Sequence, residues 1–269
     1  MKLPFYQIDA FTSSVFSGNP AGVCLLDSWL DDATLLAIAA ENNLSETAFL
    51  VAGQAGYELR WFTPATEVDL CGHATLATAF VVFTYLDTGD DTVRFETTSG
   101  VLTVKREGDL LAMDFPSRRA VPCPVPDELI RGLGIEPREV LLARDYLAVY
   151  DSEEQIKSLQ PDMLELSKLD CLGVIVTAPG SECDFVSRFF APRVGIPEDP
   201  VTGSSHCTLI PYWAERTGKS ELHARQLSER GGELFCEDTG DRDLGDGDFG
   251  DRVSIAGRAV TYLEGTITV

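Results

Sequence analysis

Asp69-Leu70-Cys71-Gly72-His73-Ala74-Thr75 decides the fold, because an altered form of it returns more than a hundred residues later. Just upstream, Arg60-Trp61-Phe62-Thr63-Pro64 aligns with Arg188-Phe189-Phe190-Ala191-Pro192, two strands that each end at a proline. A glycine turn and a helix follow in both copies. The first turn is Cys71-Gly72-His73; the second, after a slightly longer connection, is Asp199-Pro200-Val201-Thr202-Gly203-Ser204. The pattern predicts a duplicated half-domain, with halves at 1–117 and 118–259 and a last strand, about 260–269, that returns to the first half. Matching Gly72 to Gly203 sets Cys71 opposite Thr202, so chemistry that requires a thiol at both turns is excluded.

The chain has 269 residues, enough for two halves that each bury a core. Acidic residues outnumber basic ones by 43 to 21, and the formal charge of -22 repels phosphate backbones and anionic lipid surfaces. No nucleic-acid or membrane partner is expected, and the acidity serves solubility. No apolar run approaches the ~18 residues of a membrane span, and Met1-Lys2-Leu3-Pro4 enters a strand rather than a signal sequence. Seven cysteines without paired short spacing do not form a disulfide framework, and a reducing cytoplasm is the expected location. Three histidines without Cys-x-x-Cys or His-x-x-x-His spacing give little material for a metal site, so none is expected.

β-Branched and aromatic runs predict strands over Phe5–Asp9, Ala21–Leu26, Thr47–Val51, Tyr57–Thr63, Thr92–Glu96, Val101–Arg106 and Leu110–Phe115. Asp31 or Asp32 caps a helix with Leu35, Ile38 and Ala39 on one face. The helix after Gly72 is apolar almost all round, as expected for a helix enclosed by a sheet. Pro116 to Pro124 reads as a crossing between halves. Beyond it, helices are predicted over Pro126–Leu133, Ser152–Leu159 and Gly203–Arg216, the last kinked by Pro211, and strands over Cys171–Thr177, Asp184–Phe190 and from Leu222 onward. The acidic run Glu237–Asp251 fails the EF-hand template, with Asp246 at the glycine position and Arg252 at the last carboxylate position, and is expected to be a solvated hairpin tip.

The two turn-to-helix junctions locate the chemistry. The first amides of a helix lack internal partners and carry partial positive charge, so they bind a carboxylate. If the halves face each other about a pseudo-twofold axis, both helix ends point into one cleft. Glu46, ahead of the strand at Thr47, is positioned for partial burial, which raises the proton affinity of a carboxylate and suits it to general acid/base work. His206 is read as a core histidine, and Arg60 and Arg188, equivalent in the repeat, are expected to pair with carboxylates.

Gly18-Asn19-Pro20, Ser45-Glu46-Thr47-Ala48-Phe49, Cys71-Gly72-His73-Ala74-Thr75 and Asp199-Pro200-Val201-Thr202-Gly203-Ser204 together resemble the PhzF-like family of phenazine-biosynthesis proteins, in the family's order and over most of the chain. The resemblance implies the diaminopimelate epimerase fold, an α/β (α+β) architecture of two similar domains, each a sheet around a central apolar helix, in a homodimer. It implies Glu46 as the catalytic acid/base, with His73, Asp199 and Ser204 positioning substrate and assisting proton movement. Gly72 and Gly203 match the helix-end turns, and Asn19 and Ser45 fall within the substrate-binding motifs. Related epimerases and proline racemases place a cysteine at each turn; this sequence keeps only Cys71. The expected protein is a cofactor-independent isomerase that moves a proton on a small, anionic, amino- or hydroxy-acid-like substrate in the interdomain cleft. The alternatives are a racemase or epimerase using Cys71 and Glu46, and a non-catalytic binding or interaction module on the same fold.

Overall fold

The computed structural model describes residues 1–53, 56–86, 89–243 and 249–269. It divides into unit 1, Met1–Asp114 with Ala256–Val269, and unit 2, Phe115–Ile255.

Unit 1 contains β1 (Lys2–Ala10), β2 (Asn19–Leu26), α1 (Asp32–Asn42), β3 (Glu46–Ala52), β4 (Tyr57–Phe62), β5 (Glu67–Val68), α2 (Gly72–Tyr85), β6 (Thr92–Thr97), β7 (Gly100–Glu107) and the start of β8 (Leu110–Pro116). Asp31 caps α1 by accepting from the Thr34 amide, and Leu35, Ile38 and Ala39 are its buried face. They pack with Phe5, Phe49 and Phe62 from the strands. Burying each such large side chain contributes about 1.5–3 kcal/mol. In α2 every residue from His73 to Ala79 is buried, as are Val81 and Val82, and the helix packs on β1, β2 and β3. A polar stripe has no place on such a helix.

Unit 2 contains β9 (Val121–Pro122), α3 (Asp127–Leu133), β10 (Glu139–Leu142), β11 (Tyr146–Val149), α4 (Glu153–Ser158), α5 (Met163–Leu166), β12 (Val174–Pro179), β13 (Phe185–Phe190), α6 (Gly203–Thr217), β14 (Glu221–Gln226), β15 (Gly232–Asp243) and most of β16 (Phe249–Gly257). The last strand, β17 (Ala259–Thr268), belongs to unit 1, where it pairs antiparallel with β1. The Pro116–Pro124 segment is not free of sheet: β9 pairs with β10 through Pro122 and Val121. The strand expected from Cys171 begins only at Val174. A Cβ on Gly173 would meet the Phe189 ring at 2.4 Å, so the chain bends through Cys171–Gly173 before joining the sheet. The tip of the Glu237–Asp251 hairpin lies outside the described residues.

Strand senses repeat between the units. β1–β2, β3–β4 and β6–β7 are antiparallel, with β2–β3 and β4–β6 parallel. In unit 2, β10–β11, β12–β13 and β14–β15 are antiparallel, with β11–β12 and β13–β14 parallel. Side chains repeat as well. Arg60 holds Glu67 at 2.7 Å and lies over the Phe62 ring; Arg188 holds Glu198 at 2.7 Å and lies over Phe190. Each glutamate stands five residues ahead of its helix glycine. The strand arginine thereby anchors the loop that delivers the helix N-terminus.

α6 runs through Pro211. Proline cannot donate to the carbonyl four residues back, which is that of Cys207. The Arg118 amide donates to that carbonyl instead, at 2.8 Å. No helix among the described residues is long and apolar enough to cross a membrane.

Candidate active site

In unit 1 the parallel register of β2 and β3 sets Ala21 beside Glu46, so the first residues of both strands, Asn19 and Glu46, stand at the same end of the sheet. Gly18 makes this possible. Its φ is +67°, and a Cβ there would lie 2.2 Å from the Ala10 carbonyl oxygen. The turn into α2 supplies the third edge. Cys71 is the extended N-cap, its carbonyl accepting from the Thr75 amide, and its side chain makes no cap hydrogen bond.

These elements bring Asn19, Glu46, Cys71 and His73 together. His73 Nε2 lies 3.1 Å from Glu46 Oε2, off the line of an N–H donor, so this is an ion-pair contact rather than an aligned hydrogen bond. The Asn19 amide and the Cys71 sulfur both face His73 Nδ1, at 3.3 and 3.5 Å. Ser45 occupies the turn that leads into Glu46, and Gly72 opens α2.

The electrostatics of this cluster correct the sequence expectation for Glu46. Burial does push its proton affinity up, but the charge of His73 and the close polar contacts of His73 and Cys71 outweigh it, and the carboxyl is held below its usual range. His73 moves the other way. Burial opposes its charge, yet Cys71 and Glu46 hold its pKa well above the ordinary 6.5. Burial and the neighbouring Glu46 charge push the Cys71 thiol up, which keeps it protonated. The cluster therefore pushes the carboxyl toward its ionised form, the imidazole toward its charged form and the thiol toward its neutral form. Cys71 is buried, as expected of a packing group, but it also touches the ionised pair.

Glu46, Cys71 and His73 each offer one ligand atom within 4.8 Å of the others. An oxygen, a sulfur and a nitrogen at that spacing suit a borderline-soft divalent cation. Sequence spacing did not reveal this cluster, because Glu46 joins it through sheet register.

In unit 2 the α6 N-terminus is built from Asp199, Thr202, Gly203 and Ser204. Thr202, which stands where unit 1 has Cys71, donates its hydroxyl to Asp199 Oδ2 at 2.5 Å. Buried Gln226 locks this loop: its Oε1 accepts from the Thr202 amide at 2.9 Å, and its Nε2 donates to the Asp199 carbonyl at 2.7 Å. Ser204 Oγ accepts from Arg144 Nη2 at 3.1 Å. Sequence reasoning missed both Gln226 and Arg144. Arg144 was legible in principle, since Val140-Leu141-Leu142 and Tyr146-Leu147-Ala148-Val149 flank a three-residue hairpin turn.

His206 is fully buried, its Nδ1 2.8 Å from the Thr202 carbonyl, and burial lowers its pKa to about 4. It is a neutral core histidine, though its Nε2 meets no hydrogen-bond partner.

Two units with one strand plan, each carrying a buried helix that begins at a glycine turn, define the epimerase type of α+β fold. A hydroxyproline epimerase of Agrobacterium vitis shares that fold at a TM-score of 0.65 and 10% identity, over 99% of this chain and 92% of its own. The chain belongs to the phenazine biosynthesis-like (PhzC/PhzF) family, whose model matches residues 8–265. It is 54% identical over 267 residues to a protein of Pseudomonas aeruginosa named an uncharacterized isomerase, covering 99% of both chains. A PhzF-family crystal structure from Enterococcus faecalis matches all of both chains at 45% identity and a TM-score of 0.94.

Proposed function

We propose that the protein is a cofactor-independent isomerase that moves a proton between two atoms of a small carboxylate substrate, with Glu46 as the single acid/base. The relatives named isomerases support the class. The observation that carries the mechanism is the geometry of unit 1: His73 Nε2 stands 3.1 Å from Glu46 Oε2, which favours the ionised carboxylate, next to a buried thiol pushed toward its protonated form. Glu46 takes the proton from carbon and the electron pair delocalises into the substrate. Protonated Glu46 then returns the proton to a second atom on the same face. The unpaired amides at the start of α2 favour the negative charge that develops. His73 holds Glu46 ready by stabilising its ionised form. In unit 2, Asp199 and Ser204 are the polar groups assigned to substrate positioning.

A racemase using Cys71 and Glu46 is disfavoured on geometry. Two bases on opposite faces of one carbon, each at a near-attack distance of about 3–3.5 Å, stand roughly 6–7 Å apart. The Cys71 and Glu46 ligand atoms lie within 4.8 Å.

Incubation of the full chain with amino- and hydroxy-acid pools in deuterium oxide tests the proposal, with mass spectrometry reading label. Enzyme-dependent deuterium at a carbon position, with configuration retained, is expected. Inverted configuration in the labelled product would favour the two-base alternative, and no label in any pool would favour the non-catalytic one.

A further inference from the structure

His73 Nε2 and Glu46 Oε2 lie 3.1 Å apart in unit 1, yet both atoms are buried and neither has a hydrogen-bond partner among the described residues. An imidazole N–H aimed at the carboxylate would satisfy both at that distance. The two atoms stand side by side instead, and a third body off the line between them satisfies both at once. Cys71 Sγ brings a third donor, with the three ligand atoms within 4.8 Å of one another.

Tetrahedral Zn2+ holds nitrogen and oxygen at about 2.0–2.1 Å and sulfur at about 2.3 Å, which sets its ligand atoms roughly 3.3–3.6 Å from one another. The imidazole–carboxylate edge is about 0.2 Å short of that range, and the sulfur has to close by roughly 1.2 Å at most. One side-chain rotation of Cys71 covers such a movement. Asn19 supplies the support that a metal-bound histidine needs, an oxygen that accepts its other ring N–H and fixes the ring. Its amide stands 3.3 Å from His73 Nδ1, and with the oxygen turned to the ring it accepts that N–H. Only 6% of His73 is exposed and Asn19 is fully buried, so the site is built into the unit rather than scattered on an acidic surface.

We propose that Glu46, Cys71 and His73 form a zinc site, and that zinc bound there switches the protein off. The effect on turnover rests on the isomerase reading, because the metal ties up Glu46 as a ligand; binding itself does not. As the zinc–sulfur bond forms, the thiol proton leaves to solvent, and His73 gives up its proton to bind through Nε2. Three protein ligands leave the fourth position to water. A sulfur and a nitrogen among the donors discriminate against Mg2+ and Ca2+, which take oxygen ligands and in greater number.

The metals alone test this. The untagged, reduced full chain is titrated with Zn2+ by calorimetry and with Co2+ by absorbance, in excess Mg2+ to occupy exposed carboxylates. One site is expected, with a sulfur-to-cobalt charge-transfer band that Zn2+ removes. Cys71→Ser should abolish the band, and Glu46→Gln should weaken Zn2+ at least tenfold. Asn19→Leu should weaken it by about tenfold through lost support of the ring, whereas Asn19→Asp should strengthen it. If Glu46→Gln does not fold, Cys71→Ser and the Asn19 pair carry the same test. A band that persists in Cys71→Ser, wild-type affinity in folded Glu46→Gln, or no wild-type site that survives Mg2+ overturns the inference. Zn2+ should also suppress deuterium exchange over the concentrations at which it binds, and undiminished exchange at saturation overturns the switch. Failure of the isomerase reading is seen separately, as exchange that survives Glu46→Gln.

Discussion

Burial alone pushes the Glu46 carboxyl toward its protonated form, and a protonated acid cannot begin a reaction by taking a proton from carbon. His73 reverses this, and pH dependence checks it. The pKa of Glu46 is lowered from 4.5 and that of His73 raised above 6.5, so exchange should stay flat from below about 4.5 to above about 6.5. The stability signs agree. The Glu46 contribution is present above 4.5 and lost as pH falls through its depressed pKa. The His73 contribution is present below 6.5 and lost as pH rises through its elevated one. Urea melts across pH should therefore show the pair's contribution fullest between those values, and Glu46→Gln should bring the alkaline loss to lower pH. Cys71→Ser should keep turnover within about tenfold and cost about 1 kcal/mol, because a protonated thiol is not the base. A loss beyond about a thousandfold with the fold intact would make Cys71 a catalytic partner. A chelator should leave turnover unchanged, whereas added Zn2+ should inhibit reversibly by bridging Glu46, Cys71 and His73. Turnover abolished by the chelator and restored by metal would contradict the single-carboxylate account.

At the level of elements, Gly18 is the position on which the unit 1 site depends most. Gly18→Ala forces both a positive φ and a clash with the Ala10 carbonyl, so it should destabilise by about 1–3 kcal/mol and displace Asn19 from His73. Denaturant titration reads the first effect, and a changed His73 side-chain resonance by NMR the second. Gly18 was legible, since it lies in a quoted motif, as were α1 with its Asp31 cap and the unbroken burial of α2. The hairpin of β10 and β11 was legible only as two apolar runs around a three-residue turn, because strands of four residues are too short for alternation to show. The pairing of Glu46 with His73 was beyond local pattern, because it is fixed by the β2–β3 register and the α2 turn. The direction of the Glu46 shift was misread for the same reason. A sequence shows that a carboxylate enters a strand, but not which charge lies 3.1 Å away.

For the molecule as a whole, duplication accounts for most of what the chain is: one strand plan used twice, with Arg60–Glu67 and Arg188–Glu198 holding equivalent loops. The copies diverge at the helix starts where the chemistry is proposed. Unit 1 retains a thiol, a carboxylate and an imidazole at its helix start, while unit 2 replaces the thiol with Thr202, tied to Asp199 and Gln226. That asymmetry favours one base over two. The most direct measurement is deuterium incorporation into the labelled substrate by the wild type and by Glu46→Gln under matched folding. The account predicts label with the wild type and a loss of at least about a thousandfold in the variant, with substrate binding retained. Incorporation by Glu46→Gln at a rate near that of the wild type would contradict it.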